Sequence, residues 1–173
     1  EAHKNVVFSD RLQLGAALRE VTLGVRKPSA EELAYMRKVL AKPENEPGYH
    51  SLERAYAGRL LELPDVPHQV NVPVQALRIG SVAVAALPFE VFSEIGLELK
   101  EKSVIKPAFT LSMGNGYYGY LPTPEQHALG GYETWLGTNF VEKNASTKLV
   151  DQLLNLFTHL GQDPRRTVSA RQE

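Results

Sequence analysis

Hydrophobic positions along this chain change period several times, and each change marks an element. Glu20-Val21-Thr22-Leu23-Gly24-Val25 alternates and is rich in β-branched residues, which predicts a strand. Ahead of it, residues 1–18 are mixed, with a short helix expected near Asp10 to Arg19. Lys27-Pro28-Ser29 ends the strand. Ser29-Ala30-Glu31-Glu32 is a capping box, with Ser29 as cap and Glu32 at the third helical position. The helix it opens runs to about Ala41 and gathers Leu33, Met36, Val39 and Leu40 on one face. Lys42 to Gly48 is a loop. A second helix follows from Ser51 to Leu63, with Leu52, Tyr56, Leu60 and Leu61 as its apolar face.

Pro64 to Pro67 breaks that helix. Val70, Val72, Val74 and Ala76 then alternate along a strand from Gln69 to Ile79. Gly80-Ser81 is a two-residue turn signal. Val82 to Leu87 is continuously apolar, the mark of a strand buried on both faces, so the two strands read as a hairpin. Pro88 stops the second strand, and a helix is expected from Phe89 to Lys102 with Phe92, Ile95, Leu97 and Leu99 apolar. Phe109 to Met113 is another strand. Gly114 to Gly131 is glycine- and tyrosine-rich and long for a loop, which favours a functional segment. Inside it, Thr123 to Leu129 forms a short helix capped by Thr123, with Pro124 in its first position. The last helix spans Lys143 to Leu160 and ends at Gly161; Asp163 to Glu173 is a polar tail. The fold class is α/β, a mixed sheet with packed helices and no internal repeat.

Composition narrows the function. Hydrophobic residues make up 43% of the 173 positions, enough for a sizeable core. Nineteen basic and 20 acidic side chains leave a net charge of -1, so the basic field that nucleic acid requires is missing. Without cysteine there are no disulfides, thiolate metal sites or cysteine nucleophiles. No apolar run approaches the ~18 residues of a transmembrane segment. The first residues do not resemble a signal peptide.

Two segments carry candidate chemistry. Leu87-Pro88-Phe89-Glu90 sits where the buried strand gives way to an amphipathic run. A strand end facing a crevice is where α/β sheets place ligands. The plainer reading of Glu90 is a helix N-terminal glutamate favoured by the helix dipole. Gly114-Asn115-Gly116-Tyr117-Tyr118-Gly119-Tyr120, followed by Tyr132-Glu133, offers phenols on a loop able to wrap a small molecule. Its plainer reading is an amphipathic tyrosine wall. Glu90 and Tyr120 supply two oxygens, whereas zinc takes three or four protein ligands. Of the five histidines, only His127 falls in the tyrosine loop, and none forms an H-x-x-x-H pair. Walker, G-x-G-x-x-G and G-x-S-x-G motifs are missing. Asn144-Ala145-Ser146 matches a glycosylation sequon.

Together these segments resemble the neutral/alkaline non-lysosomal ceramidases and their bacterial ceramidase-like relatives. That family has V-P-G-E after a buried strand, with Glu as a zinc ligand; Leu87-Pro88-Phe89-Glu90 matches it, with Phe89 in place of glycine. Its N-x-Y-x-x-Y segment ends in a second zinc-ligand tyrosine; Asn115 to Tyr120 matches, which puts that role on Tyr120. A further tyrosine in a Y-E pair polarises the scissile carbonyl, and Tyr132-Glu133 stands in its place. Thr123-Pro124-Glu125 echoes the T-x-E-E stretch between them. Two departures stand out. The family's zinc-binding histidines and catalytic serine region have no counterpart in residues 1–68. Thr134 to Asn139 replaces the family's A-S-T-x-Y-G-P stretch near the substrate entrance.

The resemblance implies that residues 1–162 form the C-terminal portion of a ceramidase-like catalytic domain, with 163–173 as its tail. It implies a zinc-dependent amidohydrolase that cleaves an N-acyl lipid or related amide with a zinc-activated water. Glu90 and Tyr120 would then bind Zn2+, and Tyr132 would be the catalytic hydrogen-bond donor. The histidine ligands would come from an upstream part of the polypeptide or a second chain, and the protein would be secreted or periplasmic. Two rivals remain: a non-catalytic ligand-binding or structural module that keeps the fold, and a carbohydrate-binding domain built on the aromatic loop.

Overall fold

The computed structural model describes residues 12–46, 48, 50–162 and 168–170, the last three by backbone alone. Strand β1 (Leu14–Gly24) pairs antiparallel with β2 (Gln69–Ile79) along all eleven residues, from Leu14 opposite Ile79 to Gly24 opposite Gln69. This pairing overrides the short helix expected near Asp10 to Arg19. Asp10 and Arg11 lie outside the described residues, and from Leu14 onward the chain is strand. A long ladder supplies every backbone partner that a local helix would have supplied.

Gly80-Ser81 turns β2 into β3 (Val82–Ala86) as an antiparallel hairpin, as its turn signal predicts. β3 is buried on both sides, with Ala83, Val84, Ala85 and Ala86 all below 5% exposure. Its other edge pairs in parallel with β5 (Ala108–Leu111). Between them come the two-residue strand β4 (Glu90–Val91) and helix α3 (Ser93–Lys102). The remaining elements are α1 (Ala30–Ala41), α2 (Glu53–Glu62), β6 (Tyr120–Leu121), α4 (Pro124–Leu129), α5 (Ala145–Gln162) and β7 (Val168–Ala170). The main sheet runs β5-β3-β2-β1-β7, with β7 parallel to β1. β7 falls within the segment read as a polar tail.

Several helix signals are realised. The Ser29 capping box forms, with the Glu32 amide donating to Ser29 Oγ at 3.1 Å and the Ser29 amide donating to Glu32 Oε2 at 2.7 Å. Thr123 caps α4 through the Gln126 amide at 3.2 Å. α5 passes through Gly161 to Gln162 rather than ending there.

α3 and α5 cover one face of the sheet. The core beneath them combines Ala17, Val21, Leu23, Val72, Val74 and Ala76 with Ile95, Leu99, Leu149, Leu153 and Phe157. The register places Leu18, Gln75, Ala86 and Leu111 in one row across the opposite face. Ala16, Leu77, Val84 and Phe109 form the next row. Leu18 (40%), Leu111 (46%) and Phe109 (48%) stay exposed there. α1 and α2 pack on one another away from the sheet. Tyr56, Leu60 and Leu63 meet Leu136 in a second apolar cluster, from which Tyr56 reaches the candidate site.

Candidate functional site

The Leu87-Pro88-Phe89-Glu90 segment splits between core and cavity. Leu87 continues the sheet, its amide donating to the Leu111 carbonyl at 3.1 Å. Phe89 is fully buried, tilted against the Tyr118 ring at 5.7 Å between centroids. Glu90, the next residue, is half-buried and sits in β4 rather than in the expected helix, which begins only at Ser93. It precedes the cap Phe92 by two residues, so the helix-terminal reading of Glu90 does not hold.

β4 pairs in parallel with β6, which sets Glu90 directly opposite Tyr120. The Glu90 amide donates to the Gly119 carbonyl at 3.0 Å, and the Tyr120 amide donates to the Thr138 carbonyl at 2.9 Å. Fully buried Asn139 fixes the other side of Tyr120. Its Nδ2 donates to the Tyr120 carbonyl at 2.9 Å, and its Oδ1 accepts from Arg26 Nη1 at 2.8 Å. Backbone on both sides therefore holds the facing pair.

The side chains converge as well. Tyr117 Oη donates to Glu90 Oε1 at 2.8 Å. The Tyr120 phenol also hydrogen-bonds the Glu90 carboxylate, and this contact, with burial, pushes its pKa up to about 12. Tyr117 is shifted upward for the same leading reason. A carboxylate that accepts from both phenols keeps both protonated.

Tyr132 opens a 3-10 turn, Tyr132–Thr134, and its ring stands 6.0 Å from that of Tyr120, edge-on. Thr138 Oγ1 holds its backbone, donating to the Tyr132 carbonyl at 2.6 Å. From α2, the Tyr56 hydroxyl forms a hydrogen bond with the Tyr132 hydroxyl. Burial first, and then this bond, raise the Tyr56 pKa to about 12. Glu90, Tyr117, Tyr120, Tyr132, Tyr56 and Arg59 surround one cavity of about 410 Å³. Glu90, Tyr120 and Tyr132, singled out from the sequence, thus line a common space. Tyr118 turns away to pack on Phe89.

His127 lies elsewhere. It lines a larger cavity of about 550 Å³ with Arg26 and Lys143, and only Tyr56 borders both spaces. Burial and the two nearby cations lower its pKa to about 4. Its Nε2 has no hydrogen-bond partner among the described residues. Tyr56, Arg59 and Asn139 were not foreseen as site residues. Tyr56 reads in the sequence as one more position on the apolar face of a helix, and nothing local marks its hydroxyl.

The donor set fits part of a zinc site. Glu90 and Tyr120 offer two oxygens side by side, while no group of three His, Cys, Asp or Glu occurs among the described residues. Zinc held here needs further ligands from outside these residues.

No protein-family model matches the chain, and no curated protein sequence does. Solved structures do. One is described as neutral ceramidase from Pseudomonas aeruginosa, with a TM-score of 0.54 and 17% identity over 92% of this chain and 30% of that one. Another, described as ceramidase complexed with C2, gives 0.53 and 14% over 92% and 32%. The likeness is one of fold, as the motif resemblance implies. The chain spans about a third of the length of those structures.

Proposed function

We propose that this chain is the C-terminal portion of the catalytic domain of a zinc-dependent amidohydrolase that cleaves an N-acyl lipid or a related amide. One observation carries the reading: Glu90 and Tyr120 face each other across paired strands, and Tyr132 opens into the same cavity. Three motif residues separated by up to 42 positions share one space, on a fold that resembles part of a ceramidase.

In this reading Glu90 and Tyr120 are two of the metal's ligands, held by the β4–β6 backbone before any metal arrives. Zinc, when bound, supplies Lewis acidity and a hydrolytic water acidified toward neutrality. Tyr132 donates a hydrogen bond to the oxygen that becomes negative as the amide carbonyl is attacked. Losing such a donor costs about 3 kcal/mol of transition-state stabilisation. The products are a carboxylate and an amine. The histidine ligands come from an upstream part of the polypeptide or a second chain. The exposed apolar rows around Leu18, Phe109 and Leu111 are a surface such a partner would cover. No helix among the described residues is long and apolar enough to cross a membrane, and a secreted or periplasmic protein is the setting we propose.

Phe89 and the altered segment after Glu133 are the sequence features that favour a module that kept the fold and lost the chemistry. Phe89 points into the core, away from the cavity, so the glycine-to-phenylalanine difference falls on packing. A carbohydrate platform fits less well. Tyr56, Tyr132 and Trp135 meet one another at interplanar angles of 63° to 89°, which turns edges into faces that a sugar would need.

The test is native mass spectrometry of the protein from its natural source, with amide hydrolysis assayed in parallel. A complex holding a larger polypeptide and about one zinc, lost in Glu90→Ala, is expected. A zinc-loaded, active Glu90→Ala protein refutes the assignment.

A further inference from the structure

We infer that Tyr56 is a positioning residue for Tyr132: its hydroxyl donates to the Tyr132 oxygen and so leaves the Tyr132 proton aimed at the cavity. The inference rests on the reading of Tyr132 as the donor to the developing oxyanion.

The direction of the bond follows from which phenol carries a cation over its ring. Tyr56 is 7% exposed, and its hydroxyl has no other hydrogen bond among the described residues. Both hydroxyls border the cavity, and the Arg59 guanidinium over the Tyr56 ring favours Tyr56 as the donor. With Tyr56 as donor, both protons are used: one on Tyr132 and one free for a ligand in the cavity.

Two contacts hold the Tyr56 ring where this is possible. Trp135 packs edge-on at 6.1 Å between centroids, and the Arg59 guanidinium lies 5.2 Å from the ring centroid. A cation over the ring draws electron density from the phenol and makes its O–H a better donor. A phenol that already accepts one hydrogen bond is in turn a stronger donor through its own proton. α2, about 76 residues upstream of Tyr132, thereby takes part in the chemistry through a single hydroxyl.

The experiment uses the complete, zinc-loaded protein, with kcat and KM expressed per zinc-loaded site. Tyr56→Phe keeps the ring and removes only the hydroxyl. The expected result is unchanged zinc, unchanged KM and kcat lowered about tenfold, the worth of one neutral hydrogen bond. Tyr132→Phe lowers kcat about 100-fold. Because Tyr56 acts through Tyr132, the double variant should match Tyr132→Phe alone. Wild-type kcat in Tyr56→Phe beside a slowed Tyr132→Phe overturns this inference and leaves the proposed function standing. So does a double variant slowed by the product of the two single effects. Wild-type kcat in Tyr132→Phe overturns the oxyanion reading itself, and this inference with it.

Discussion

Gly119→Ala tests whether the facing pair Glu90 and Tyr120 depends on a close backbone approach. Gly119 has φ +82° and precedes Tyr120. A Cβ there would fall inside contact distance of the Thr138 carbonyl oxygen and 3.0 Å from Phe140 Cδ2. That carbonyl is the acceptor for the Tyr120 amide, so relief of the clash moves β6 itself. Positive φ costs an L-residue roughly 1–2 kcal/mol. Overpacking against backbone adds roughly 1–3 kcal/mol. The total of about 3 kcal/mol corresponds to a fall of about 10 °C in Tm for a chain of this size. Gly130 supplies the control. Its φ is +80°, yet nothing lies within 4 Å of an added Cβ. Gly130→Ala should therefore show a conformational cost alone, roughly 1–3 kcal/mol at ψ -160°, or about 5 °C. Thermal unfolding followed by circular dichroism measures both. Equal losses in the two variants would refute the claim that the Gly119–Thr138 approach holds the site.

Two further outcomes follow from the geometry. Phe89→Gly brings the segment closer to the V-P-G-E pattern but empties a fully buried site; urea unfolding should show a loss of about 4–6 kcal/mol, and a loss under about 1 kcal/mol would refute its core role. His127 has a folded-state pKa near 4 against 6.5 for the free side chain, so the unfolded chain takes up its proton first. Its contribution is present above pH 6.5 and is lost as pH falls toward 4. His127→Gln should flatten that part of the stability–pH curve, and an unchanged slope would contradict the shift.

The sheet was legible because its signals are repetitive. Val72, Val74 and Ala76 alternate toward the core, the apolar run of β3 is buried on both sides, and Gly80-Ser81 turns between them. Capping chemistry was legible for the same reason: Ser29 and Thr123 act on amides three residues away. The first half of β1 was not legible, because its conformation comes from partners about 60 residues along the chain. The residue set Glu90, Tyr120 and Tyr132 came from motif order, and the three line one cavity. Tyr56, Arg59 and Asn139 stayed hidden, since each joins the site only through a fold contact.

That the Glu90–Tyr120 pair proposed to hold zinc is built without metal is itself a testable consequence of its hydrogen bonds. Glu90 accepts from Tyr117 and is bonded by Tyr120, so its charge has partners without any cation. Both phenols border an open cavity, and Tyr117 is 60% exposed. Removing the carboxylate in Glu90→Ala therefore lets water replace it and leaves no buried orphan. The Glu90 backbone contact to Gly119 survives the substitution. The expected stability change is within about 1 kcal/mol, the range of exposed hydrogen-bonded charges. Zinc and hydrolysis, in contrast, should both be lost from the complete protein. A melting curve beside a metal assay on the same sample separates the two effects. Loss of fold together with metal would mean that Glu90 is structural, and the case for a preformed ligand pair would fail.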